Sequence, residues 1–129
     1  MNREDLDFYE DDEGISVNLI FDAFDKSEVQ VIYLESELSD EKMLGDINFM
    51  LKNQDKIFDL SKKEISLYIE RFYESKELSF KLMKIYIFPD VENEFGFVFR
   101  WRGDTEHGIG IKFSGLSIKK IGSAEVAFL

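Results

Sequence analysis

Residues Phe95, Phe97, Phe99 and Trp101 put a large aromatic ring at every second position, with Gly96, Val98 and Arg100 between them. A period of two is the signature of a β-strand that buries one face. The next run repeats it. Ile109, Ile111 and Phe113 alternate with Gly108, Gly110 and Lys112. Two such strands so close together need a shared core, and the rest of the chain has to supply its other side.

Alternation also marks the beginning. Ile15, Val17, Leu19 and Phe21 share one face, and Val29, Val31 and Tyr33 repeat it after Asp25-Lys26-Ser27, which predicts an antiparallel hairpin. The period then changes. Ser39 is placed to cap a helix with Asp40 and Glu41 in its first turn, and Met43, Ile47, Met50 and Leu51 follow at helical spacing. Ser61 with Glu64 reads as a capping box that opens a second helix, flanked by a Leu60–Ile65 staple. Ile65, Ile69 and Phe72 would be its inner stripe. Residues 78–88 are strand-like up to Pro89, and short strands are expected around Ile118 and Val126. The expected order is ββααβββ(β), a single α+β domain over 1–129. Its sheet is mostly antiparallel, with the two helices packed on one face.

At 129 residues and 44% hydrophobic, the chain can build that core without a metal or a disulfide staple. Cysteine is absent, which removes thiolate chemistry and suits the reducing cytoplasm. The first residues show no basic segment leading into an apolar one, so no secretory leader is expected. The apolar runs are too short to span a bilayer.

Charge is distributed unevenly. Residues 1–64 carry 18 acidic and 7 basic side chains, while residues 65–129 carry 9 of each, so the net −11 arises in the first half. Residues 3–13 alone hold seven acids and read as an exposed arm that Leu6, Phe8 and Tyr9 can tether. Such a field repels nucleic acid and anionic lipid and attracts basic proteins. It also serves solubility.

The usual signs of catalysis are missing. His107 is the single histidine, and neither G-x-S-x-G nor a phosphate-binding glycine loop occurs. His107 shares strand parity with Ile109, Ile111 and Phe113, which predicts that it faces inward as a structural residue. The Gly108-Ile109-Gly110 fragment fits a close approach of neighbouring backbone better than a ligand loop. No metal or other cofactor is expected. Lys81, Arg100, Arg102 and Lys112 are expected on the sheet face turned away from the core.

The C-terminal stretch is the most distinctive. It joins the aromatic strand ending in Trp101 to Asp104-Thr105-Glu106-His107-Gly108-Ile109-Gly110, with Ile121-Gly122 and Ala127-Phe128 after it. This resembles a group of small bacterial proteins that look like immunity proteins of polymorphic toxin systems, including contact-dependent growth inhibition. Arg102 and Gly103 stand between the Trp and the acid, where that group has the two nearly adjacent. The resemblance implies a non-catalytic protein that binds and blocks a cognate toxin domain, such as a nuclease. It implies no catalytic residues; Trp101, Phe99, the glycines and Asp104, Glu106 and His107 would be architectural.

The leading expectation is thus an immunity protein, monomeric or weakly dimeric when free, with a basic toxin domain as partner and no nucleic acid or membrane. The expected contacts are Asp11, Asp12 and Glu13 on the arm and Glu35, Glu37, Asp40 and Glu41 at the first helix, with Tyr9, Tyr33 or Tyr73 as aromatic anchors. Two alternatives stand beside it. One is a small-ligand protein or hydrolytic enzyme with a carboxylate-lined site near Asp104, Glu106 and His107. The other is a structural subunit of a larger assembly, which would show an extensive apolar patch.

Overall fold

The computed structural model describes residues 6–73 and 79–129. Six strands form one sheet in sequential order: β1 (Gly14–Phe21), β2 (Ser27–Leu34), β3 (Phe80–Ile87), β4 (Glu94–Trp101), β5 (Asp104–Ser114) and β6 (Ser117–Gly122). Two helices, α1 (Glu41–Lys52) and α2 (Gln54–Tyr73), connect β2 to β3. The α+β class and the ββααβββ(β) order are as the sequence indicates.

All neighbouring pairs are antiparallel except β2–β3, which runs parallel with Val31 opposite Ile85. A parallel pair needs a crossover, and the two helices are that crossover. They lie against one sheet face. Met43, Ile47 and Met50 of α1 and Ile57, Ile65 and Ile69 of α2 join Val17, Val31, Ile85 and the aromatic row of β4 in one core. Within it, Phe97 stands edge-on to Phe113 with ring centres 5.1 Å apart. Trp101 is only 1% exposed, and Tyr73 packs on it edge-on at 4.8 Å.

Local chemistry shifts two helix boundaries. Asp40, not Ser39, is the N-cap of α1, and its carboxylate accepts the Met43 N–H at 2.9 Å. The second helix begins at Gln54, not at Ser61, with only Asn53 between it and α1. Ser61 lies within the helix. Its place is in the buried stripe Ile57–Ser61–Ile65–Ile69, spaced every four residues. A hydroxyl that resembled a cap therefore occupies a core position. Phe72 lies off this stripe and is 63% exposed, so it is not an inner residue.

The segment around Val126 is a 3₁₀ turn, Ala124–Ala127, and not a strand. It lies on the sheet face opposite the helices. An added Cβ on Gly96 would sit 1.6 Å from the Ala127 carbonyl oxygen, and one on Gly110 would sit 2.7 Å from that of Ser123. These strand glycines thus admit the C-terminal backbone against β4 and β5. Ala127 there joins Ile32 and Tyr86 in a second small cluster, with Phe128 against it. No helix among the described residues is long and apolar enough to cross a membrane.

Candidate functional site

Six acidic residues of the first half converge at one end of the sheet. Two segments meet there, the approach to β1 and the exit from β2. The Glu35 N–H donates to the Glu13 carbonyl at 2.8 Å, and the Ile15 N–H donates to the Ser36 carbonyl at 2.7 Å. Glu35 itself takes a left-handed conformation, with φ of 58°. The chain thus turns sharply out of β2 and lies beside the arm. Between the two segments is an open groove of about 420 Å³, lined by Glu10, Asp11, Asp12, Glu13, Glu35 and Glu37.

The arm is pinned to the fold. Tyr9 exchanges backbone hydrogen bonds with Ser16 of β1, at 2.9 and 2.8 Å, and its hydroxyl donates to Asn18 at 2.6 Å. Leu6 and Phe8 pack against the core. Glu13 accepts the Tyr86 hydroxyl at 2.6 Å and the Lys84 ammonium at 3.2 Å, both from β3. Burial pushes the Tyr86 phenol up, and the Glu13 carboxylate pushes it further.

Five of the seven expected contact acids, Asp11, Asp12, Glu13, Glu35 and Glu37, therefore line one groove. The remaining two do not. Asp40 is committed to capping α1 and also accepts the Tyr33 hydroxyl at 2.9 Å, and Glu41 is exposed on α1 outside the groove. Tyr33 is 2% exposed and cannot anchor a partner. Glu10 is an addition: its neighbours in the arm were named from the sequence, but its place beside Glu35 depends on the β1–β2 pairing.

The Asp104–His107 cluster is different in kind. Trp101 pairs with Asp104 across the Arg102-Gly103 turn, and Phe99 pairs with Ile109, so Thr105 to Gly108 form a bulge. Gly108 has φ of 66°, which breaks the strand alternation. His107 accordingly points outward with its side chain 62% exposed, not inward. Asp104 accepts the His107 backbone N–H at 3.1 Å and the Tyr73 hydroxyl at 3.0 Å, and lies 3.1 Å from His107 Nδ1. Those hydrogen bonds, the one to the His107 backbone above all, hold the Asp104 carboxyl below its ordinary range. The same carboxylate raises the imidazole. These contacts tie a turn to the end of α2. Glu106 is exposed beside them and takes no part in the hydrogen bonds just given.

Two buried carboxylates escaped the sequence reading. Asp46 accepts Lys42 at 2.6 Å and the Asn93 N–H at 3.1 Å, while Lys42 also donates to the Phe88 carbonyl, fastening the β3–β4 turn to α1. Glu94 accepts Lys119 at 2.9 Å. Their helical and strand positions looked like ordinary surface. Among the described residues, no group of three or more His, Asp or Glu side chains is arranged to hold a metal ion.

No protein family, characterised protein or solved structure matches this chain.

Proposed function

We propose that this protein is a binding protein that neutralises a basic partner, and that the partner is the toxin domain of a polymorphic toxin system. One observation carries the reading: six carboxylates from two separate segments line a single open groove, in a half of the chain that holds all the excess negative charge. Like charges held together raise the energy of the free protein, and a cationic partner relieves that repulsion. The same field steers encounter and raises the on-rate. The resemblance of the Trp101-to-Phe128 stretch to immunity proteins gives the partner its class. The mechanism is blockade by occupancy, with no bond made or broken. A toxin domain with a cationic active site, as a nuclease has, fits such a groove.

The test is co-expression. The toxin domain that the proposal expects beside this gene is produced in a bacterium with and without this chain. The proposal expects growth arrest without it and growth with it, and it expects protection to fail when Asp12, Glu35 and Glu37 are all changed to Lys. Protection that persists in the folded triple variant would exclude the groove as the binding surface.

A further inference from the structure

The opposite end of the sheet carries a second groove of opposite charge. Because β2 and β3 run parallel, the acidic groove at the C-terminal end of β2 and the start of β3 lie at opposite sheet ends. At that start, Lys81 stands directly opposite Arg100 of β4. Arg102 follows just past β4, with its N–H donating to the Ser79 carbonyl at 3.4 Å. All three cations are exposed, and together with Phe80 and Thr105 they line an open groove of about 560 Å³.

Like charges directly opposite in a sheet are destabilising. The ion pairs formed among the described residues use Lys42, Lys84, Lys112, Lys119 and His107, and none of these three. From this placement we infer that the groove is a binding site for a compact phosphate-bearing ligand of nucleotide size. Two guanidinium groups match phosphate oxygens in bidentate fashion, and Lys81 adds a point charge. The volume lies within the range of small-molecule sites. Phe80, beside the cations, packs its ring inward against Phe58 and Phe99, which fixes the strand that carries Lys81. A long nucleic acid fits poorly, because its charge extends past three cations onto a protein of net −11. A compact ligand keeps its charge within the groove. This site goes beyond the proposed partner surface and does not depend on it.

Calorimetric titration of the whole chain with sodium pyrophosphate, and separately with ADP, at low salt tests the inference. Saturable one-to-one binding of at least one of them is expected. A tenfold or greater preference for ADP would show that the groove also holds the nucleoside, and equal affinity would assign recognition to the phosphates alone. Changing Lys81 and Arg100 together to Ala should weaken binding at least tenfold while leaving the ligand-free melting temperature unchanged or higher. Arg102→Gln gives a second, independent loss should the double variant not fold. Glu41→Gln, exposed on α1 and outside both grooves, should bind as the parent does. Absence of saturable binding at millimolar ligand, or undiminished affinity in the folded double variant or in Arg102→Gln, would overturn the inference.

Discussion

Tyr86 donates its hydroxyl to Glu13 at 2.6 Å, joining two residues 73 positions apart. The contact ties the acidic arm to the middle of the sheet, so one carboxylate in the groove is also a structural acceptor. Glu13→Gln keeps an acceptor but removes the charge that pushes the Tyr86 phenol up. In an NMR-monitored titration, the Tyr86 ring should ionise at lower pH in this variant than in the parent. Glu13→Ala should cost about 1–2 kcal/mol, the scale of a lost charged hydrogen bond, measured by urea denaturation.

Ser61 separates two accounts of the second helix. Were it an N-cap, Ser61→Ala would cost about 1 kcal/mol. In the structure its Oγ is buried within the helix and forms no hydrogen bond with any described residue. Removing an unsatisfied hydroxyl relieves its desolvation penalty, so Ser61→Ala should raise stability by about 1 kcal/mol. The midpoint of urea unfolding decides the sign.

Gly96 and Gly45 form a matched pair. A Cβ on Gly96 would overlap the Ala127 backbone, whereas one on Gly45 meets nothing within 4 Å. Gly96→Ala should displace the C-terminal turn and cost several kcal/mol, on the order of 3. Gly45→Ala, in the exposed interior of α1, should gain about 0.5–1 kcal/mol. Thermal melting of both variants checks the contrast.

The Asp104–His107 turn has a definite pH window. The folded imidazole is raised above its ordinary 6.5, so its stabilisation is full below that value and is lost as pH rises through the folded pKa. The folded carboxyl is lowered below 3.8, so its share is present above that value and is lost as pH falls through the folded pKa. The turn is therefore firmest in mildly acidic solution. Titration of the His107 ring protons by NMR should give a pKa above 6.5, and Asp104→Asn should bring it down. A His107 that titrates identically in both proteins would contradict the geometry.

What the sequence made legible follows from the length scale of each signal. Strand alternation and helix stripes are local, so the strands from Gly14 to Phe113 and the class of the fold could be read from periodicity. The extension of α2 back to Gln54 was hidden because Ser61 imitates a cap while filling a core position. His107 was misplaced because Gly108, with its positive φ, resets the alternation that parity relies on. The groove was legible in part: the acids of residues 11–13 and 35–37 were named, but their meeting needs the β1–β2 register. Asp40 looked like one more surface acid, since nothing local reveals its bond to Tyr33.

The central claim is that the acidic groove is the binding surface and that its charge drives association. The direct measurement is the association rate between this chain and the proposed toxin partner, recorded by stopped-flow as salt rises. The account predicts an on-rate that falls by about an order of magnitude between low and high salt with a nearly constant off-rate. Changing Asp12, Glu35 and Glu37 to Lys should abolish most of that salt dependence, whereas Glu41→Lys and Glu70→Lys should preserve it. An on-rate indifferent to salt, or equal in all these variants, would contradict the account.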